Sequence, residues 1–368
     1  MSLRIPRRRF LLRSAGAIGA AAAAETLTRR PAVAAASPPD PASGSFAISL
    51  NTSTLRGHKL PLAEVIDIAA RAGYSGIEPW HDEIARHLDS GGSLGDLRRR
   101  LDDHGLKVTG AIGFFEWMVE DEGRRRSGLE GAGQLMDRLA ILGATHVAAP
   151  PLGATRELEL LRIAERYHAL LELGEHTGVT PALEIWGAAE RCSRLGEAVA
   201  VAIEAEHPKA CVLPDVYHLH RGGSSLAGVR LLGPSILGGF HFNDYPADPP
   251  RDRIADRDRV YPGDGVAPLG QLLRDLRFIG YSGAISIELF NPTYYQQDPE
   301  LVARTALEKM RRVIAESLAA AGNPRPDRNT VTAFAAECRC SEHRASDPAI
   351  ALAGRGETGA RHPGRFQG

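Results

Sequence analysis

The sequence predicts a (β/α)₈ barrel, and three observations predict it. Short apolar runs of strand length alternate eight times with longer amphipathic stretches between residues 46 and 321. This is the pattern of parallel strands joined by crossover helices. Most of the short runs begin roughly 30 to 40 residues apart, the length of one strand, one helix and their loops. Four of the later runs close on an ionisable side chain: Pro181-Ala182-Leu183-Glu184, Cys211-Val212-Leu213-Pro214-Asp215, Gly238-Gly239-Phe240-His241 and Ala284-Ile285-Ser286-Ile287-Glu288. In a barrel these ends converge on one face, where the active site of this architecture lies. The competing fold, a doubly wound open sheet, wants a glycine-rich phosphate turn after its first strand. The corresponding turn reads Asn51-Thr52-Ser53-Thr54-Leu55-Arg56-Gly57 and has no such fingerprint.

Residues 1–36 lie outside the barrel. Arg7-Arg8-Arg9-Phe10-Leu11-Leu12 precede a small-residue run from Ala15 to Ala24. This resembles a twin-arginine export signal, with removal expected near Ala34-Ala35-Ala36-Ser37. The run is too short and too alanine-rich for a spanning helix. The expectation is a periplasmic or secreted protein with no stable membrane insertion after processing. Residues 37–44, rich in Pro, Ser, Asp and Gly, read as a linker.

The barrel, residues 45–322, then follows in order. The first strand is Phe46 to Leu50 and the first helix about 61–72, stopped by Gly73. Gly76 to Pro79 is the second strand, ending near Glu78 and His81, which the sequence offers as contacts to substrate hydroxyls or, for Glu78, a surface ion pair. A helix over 92–104 leads to the third strand, Lys107 to Ile112. Helices over 128–142 and 156–177, stopped by Gly143 and Gly178, enclose the fourth strand, Thr145 to Ala149. The fifth strand carries Glu184. A helix over 194–206 precedes the sixth, with Asp215, and a short helical piece the seventh, with His241. A long loop, 243–265, and a helix over 267–279 lead to the eighth strand, with Glu288, and a last helix covers 298–321. Residues 323–368 carry no sustained periodicity and read as a disordered tail.

A net charge of −1 gives no reason to expect nucleic acid or a membrane surface as partner. Four cysteines fit no zinc-ribbon spacing. Cys192 and Cys211 fall near opposite ends of their strands, so no disulfide is expected between them. Cys338, Cys340 and His343 form a weak metal pattern in a polar tail.

A buried carboxylate is costly unless something pairs with it. Glu184, Asp215, Glu288 and His241 together make a hard, mostly oxygen site. It suits one Mn²⁺, Mg²⁺ or Co²⁺, with Zn²⁺ as a further choice. Four protein ligands leave positions on an octahedral ion for two adjacent substrate oxygens. An ion so placed polarises a carbonyl and stabilises an enediolate. Aromatics near the strand ends, Trp80, Phe114, Phe115, Trp117, Trp186 and Tyr217, are candidates to stack on a sugar ring or to be core.

Leu183-Glu184, Asp215-Val216-Tyr217-His218, His241-Phe242-Asn243-Asp244, Pro262-Gly263-Asp264-Gly265 and Ile287-Glu288 carry a resemblance to the xylose-isomerase-like barrels. That family includes tagatose 3-epimerase, hydroxypyruvate isomerase, inosose isomerase and dehydratase, and endonuclease IV. The resemblance covers about residues 46–318. It implies Glu184, Asp215, His241 and Glu288 as ligands of one divalent metal, with Glu184 and Glu288 also the acid–base pair. It implies His218 as a substrate contact and puts the family's second glutamate on Glu190; Trp186 joins them as a stacking surface. Epimerases of the family carry an arginine six residues after the strand-seven histidine. Here that position is Ala247, and Arg251 or Arg253 is the expected substitute. The expected activity is a metal-dependent isomerase or epimerase acting on a keto-sugar or related polyol. A lyase or dehydratase on a keto-sugar or inosose is the first alternative, and a non-catalytic sugar-binding barrel the second. The sequence leaves open whether the chain forms a homo-oligomer.

Overall fold

The computed structural model describes residues 46–321. The export signal, the linker, the tail and its Cys338, Cys340 and His343 lie outside the described residues.

Eight parallel strands form the barrel wall: β1 (Ala47–Asn51), β2 (Gly76–Glu78), β3 (Lys107–Val108), β4 (His146–Ala149), β5 (Thr180–Glu184), β6 (Val212–Leu213), β7 (Phe240–Phe242) and β8 (Ala284–Ile287). They pair as two runs, β3-β2-β1-β8-β7 and β4-β5-β6. The β1–β8 pairing, with Ala47 opposite Ala284 and Leu50 opposite Ile287, joins the first strand to the last. Single bridges close the remaining gaps. Ile112 pairs with Ala148 on one side, and Val212 with Leu237 and Asp215 with His241 on the other. The second gap therefore closes through two of the predicted site residues, which fixes their backbones against each other.

Nine α-helices flank these strands among the described residues: α1 (Leu62–Ala72), α2 (His81–Asp89), α3 (Leu94–Asp103), α4 (Glu122–Leu142), α5 (Leu160–Thr177), α6 (Leu195–Glu204), α7 (Val216–Arg221), α8 (Leu269–Phe278) and α9 (Pro299–Ala321). Their apolar faces show why they form. Leu62, Val65, Ile66, Ile68 and Ala69 of α1 are buried at helical spacing, and so are Val302, Ala303, Ala306, Leu307 and Met310 of α9. Leu50, Ile77, Val147, Leu183, Val212, Ile285 and Ile287 bring the strands into the same core.

Three elements differ from the sequence expectation. Helix α2 was not foreseen. It is short, and its start is held by Glu83, whose carboxylate accepts from the backbone N–H of Trp80 at 3.1 Å. Helix α4 starts at Glu122, ahead of the expected 128. Asp121 caps it by accepting from Arg124 N at 2.7 Å, and the glycines at 123 and 128 disguise its first turns. The third strand has a shorter ladder than its apolar run, because the chain leaves the ladder around Gly110 before Ile112 regains a bridge. Cys192 and Cys211 are both buried and free.

Candidate metal centre and substrate pocket

Each ionisable group arrives from a strand end, for a local reason. Glu184 is the last residue of β5. Asp215 follows β6 and caps α7, with Oδ1 accepting from His218 N at 2.7 Å. His241 lies inside β7, and Glu288 follows β8 directly. All four are 3 % exposed or less. Glu184, His241 and Glu288 each turn a donor atom to within 4.8 Å of the others. His241 Nδ1 lies 3.4 Å from Glu288, 3.8 Å from Glu184 and 4.0 Å from Asp215. His241 Nδ1 makes no aligned hydrogen bond, and Glu184 Oε2 has no partner. Buried polar atoms left unpaired are rare and call for an occupant. Three hard donors aimed at one point fit a divalent cation.

Asp215 is placed differently from the other three. Its Oδ2 accepts from Asn243 Nδ2 at 2.8 Å and from Arg259 Nη1 at 3.1 Å. The same Arg259 nitrogen donates to Glu288 Oε2 at 2.8 Å. Arg259 is buried, and its other arm reaches His218 Nε2 at 3.1 Å and Asp256 at 2.6 Å. A guanidinium thus stands between two carboxylates of the expected ligand set.

The charge balance of the site follows. Burial pushes Glu184 up to about 8, against the pull of His241. Burial likewise raises Asp215 to about 6, with Arg259 opposing. Burial also acts to raise Glu288, but His241 and Arg259 outweigh it and hold this carboxyl well below the usual range. For His241 burial favours the neutral ring, yet Glu78 and Glu288 hold its proton far above the ordinary histidine range. Burial and the neighbouring Arg259 keep His218 neutral. With no metal bound, protons on Glu184 and His241 offset carboxylate repulsion. A bound cation inverts this logic and displaces those protons.

Glu78, expected at the surface or on substrate, does neither. It is buried behind His241, with Oε2 at 3.1 Å from Nε2. Asn51 Nδ2 donates to the same oxygen at 2.9 Å and to Glu288 Oε1 at 3.2 Å, and Trp80 Nε1 holds Asn51 Oδ1 at 2.9 Å. Gly110 makes the space: a Cβ there would come within 2.8 Å of Glu78 Oε1. A carboxylate behind a ligating histidine fixes its tautomer and orientation. With the Nε2 side engaged by Glu78, Nδ1 faces the three carboxylates.

Above the cluster opens a cavity of about 370 Å³, floored by Glu184, Glu288, His218 and Arg259 and walled by Trp80, Phe114, Trp186 and Phe290. Trp186 and His218 therefore stand where the sequence put them, at the pocket. Phe115, Trp117 and Tyr217 are core; Trp117 donates to Pro150 O at 2.8 Å, and Tyr217 lies beneath the Arg259 guanidinium at 4.5 Å. Phe290, at the pocket wall, was missed.

Two expected contacts need correction. Glu190 is exposed, does not line the cavity, and spends its carboxylate on the backbone N–H of Arg156 at 2.8 Å. Arg251 and Arg253 are exposed on the long loop, and Arg251 leans toward Gly223. The arginine of the site is Arg259. An antiparallel bridge between Asp244 and Val260 folds the loop back and delivers it. Asp244 anchors the fold-back by accepting from Tyr245, Gly263 and Ala267 N–H groups at 2.8, 3.0 and 2.9 Å. Gly265 is required there, since a Cβ would stand 2.3 Å from Asp244 Oδ1. The motifs at 241–244 and 262–265 are thus two halves of one turn.

Comparison with known proteins gives this geometry its relatives. Residues 66–313 match the family described as xylose isomerase-like TIM barrel. An inosose isomerase of Bacillus velezensis is 27 % identical over 263 residues, 69 % of this chain and 92 % of that protein. A fructoselysine 3-epimerase of Escherichia coli O157:H7 is 27 % identical over 282 residues, 71 % of this chain and 96 % of that protein. Among solved structures, IolI protein with a bound zinc atom superposes with a TM-score of 0.69 at 24 % identity, covering 74 % of this chain and 99 % of the other.

Proposed function

The chain belongs to the xylose isomerase-like TIM barrel family, and on that premise we propose that it is a divalent-metal-dependent isomerase or epimerase of a keto-sugar or related cyclic polyol ketone. One observation carries the reading: Glu184, His241 and Glu288 converge to within 4.8 Å at the floor of an aromatic-walled cavity of sugar size. The relatives named for inosose isomerisation and fructoselysine epimerisation support the substrate class.

Glu184, His241 and Glu288 would hold the ion, with Asp215 joining them where Arg259 releases its Oδ2. A Mn²⁺, Mg²⁺, Co²⁺ or Zn²⁺ ion there supplies polarisation of a substrate carbonyl, which acidifies the adjoining C–H. The protein groups do the rest. Trp80, Phe114, Trp186 and Phe290 exclude water and offer ring faces to apolar sugar surfaces. Arg259 Nη2 and His218 Nε2 lie 3.1 Å apart and orient substrate oxygens from the same side. Glu184 Oε2 faces the site without a hydrogen bond, so it is the oxygen freest to take a proton from carbon. Glu288 has both oxygens engaged, by Asn51 and Arg259, and is held in one orientation. One carboxylate that removes and returns the proton gives isomerisation; two acting on opposite faces give epimerisation.

The test is solvent deuterium uptake into a panel of keto-sugars by the metal-loaded protein, with mass analysis of products. Conserved mass identifies isomerisation, and loss of water identifies the lyase alternative. Glu184→Gln should slow α-proton exchange by ~10²–10⁴-fold while metal stays bound, the usual cost of losing a general base. Near-normal exchange in both Glu184→Gln and Glu288→Gln would sink the assignment.

We further propose that the protein works outside the cytoplasm, on the strength of Arg7-Arg8-Arg9-Phe10-Leu11 alone. Lysine in place of Arg8 and Arg9, or of Arg7 and Arg8, should retain the protein inside the cell. Export of both variants at the normal level would count against it.

A further inference from the structure

A second cavity, of about 720 Å³, lies beside the substrate pocket, and Phe114 lines both. Phe114 is 38 % exposed. Its ring stacks on Trp80 at 5.4 Å, on the side of the substrate pocket, and on His81 at 5.8 Å, on the side of the second cavity. It is a partition made of one side chain. Beyond it, helix α4 runs along the cavity and presents Gly128, Gly131, Gln134 and Arg138 on one face, the spacing of successive turns. Gly131, where an added Cβ would meet nothing within 4 Å, keeps that wall low, and Gly128 lets the helix pack against the Glu116 backbone.

The charges in the second cavity are not equivalent. Glu116 is paired with Arg124, and Asp121 caps α4 by accepting from Arg124 N. Arg138 is half-buried and, among the described residues, has neither a carboxylate within ion-pair distance nor a hydrogen bond. His81 is half-buried and kept neutral chiefly by that burial. The acids are spoken for, and one cation is not.

We propose that this cavity is an accessory subsite for an anionic arm of the substrate. The arm is a carboxylate-bearing substituent that extends past Phe114 from a keto-sugar seated in the first pocket and meets Arg138. The proposal rests on the function proposed above and narrows its substrate class to keto-sugars with an acidic substituent. Arg138 lies beyond Phe114 from the first cavity, so the arm that reaches it begins outside the reacting ring. Arg138 is a fork of donors suited to a carboxylate.

The test uses calorimetric binding of three probes to the metal-loaded full chain: D-fructose, the neutral ketose disaccharide lactulose, and lactulose oxidised to a uronate on its galactose unit. The uronate should bind roughly tenfold or more tighter than lactulose, the worth of one charge-assisted hydrogen bond. Arg138→Gln should erase that advantage and leave D-fructose binding unchanged. Gly131→Phe fills the cavity from a position where an added Cβ meets nothing within 4 Å, so folding is not at risk. It should weaken both disaccharides and spare D-fructose. A uronate that binds no tighter than lactulose, an advantage that survives Arg138→Gln, or no binding by any of the three overturns the subsite. Binding in the expected order with no α-proton exchange on any probe leaves the subsite standing and overturns the proton-transfer reading instead.

Discussion

The two halves of the barrel's upper rim are built for different work. Strands β5 to β8 end in Glu184, Asp215, His241 and Glu288, every one ionisable. The ends of β1 to β4 carry Asn51, Glu78, Ile112 and Ala149, and the one charge among them stands behind the metal centre rather than in it. The first half supplies wall, in Trp80 and Phe114, and a hydrogen-bonded brace, Trp80 to Asn51 to Glu78. In the proposed reading the later half holds and moves charge, and the earlier half fixes where that charge points. The difference teaches that a carboxylate at a strand end is not one kind of object. Its partners decide whether it binds a metal or steers the group that does.

The comparison can be broken from either side. The largest effect should come from the later half: His241→Ala removes the donor that faces all three carboxylates and should abolish stoichiometric metal binding, read by elemental analysis of the dialysed protein. Metal retained at one ion per chain would mean that the ligands lie elsewhere. Next comes the earlier half. Glu78→Gln keeps shape and burial but removes the charge behind His241, and should weaken metal binding by about 10–100-fold, the usual cost of losing such a partner. An unchanged affinity would show that the brace is only packing.

Acidity sharpens the same contrast. Glu184 keeps its proton up to about 8 because burial disfavours its charge, and the metal must displace that proton. With protons on both Glu184 and His241 to be displaced, affinity should fall by roughly a hundredfold for each pH unit below about 8, and by roughly tenfold per unit just above it, where only His241 still has to lose one. Competition titrations at about pH 6, 7, 8 and 9 decide it; a flat profile would contradict the protonated resting site. The smallest effect belongs to the far end of the brace. Trp80→Phe deletes the donor to Asn51 and keeps the ring wall, so metal affinity and substrate KM should each shift by no more than about fivefold, the worth of one neutral hydrogen bond.

The strand ends were legible because a buried apolar run closing on a charge is a costly pattern with few explanations, and four in succession have fewer still. The helices with long apolar faces, α1, α5 and α9, were legible for a similar reason: periodicity accumulates over many residues. What was lost lay where spacing does not determine position. Arg251 sits nearer His241 in sequence than Arg259 does, but the bridge from Asp244 to Val260 sets the distance in space. Glu190 is six residues past Glu184, yet the turn between them faces outward. Glu78 is offered by the sequence as a substrate contact or a surface ion pair because its burial depends on Gly110 in the next unit, which clears the room it occupies. Helix α2 is too brief for its period to show.

The fold-back after β7 has one more consequence. Asp244 and Val260 are tied to each other, and the chain between them leaves and re-enters the barrel at a single point. Such a segment is a cassette. Its outer part, with the exposed Arg251 and Arg253, is free to lengthen, shorten or be exchanged between homologous chains, while Ile254 in the core and Asp256 on Arg259 keep the inner clasp in place. Reshaping of the pocket mouth and preservation of the chemistry beneath it are thereby assigned to separate stretches of one loop, which makes residues 246–253 the natural place to graft new selectivity onto this barrel.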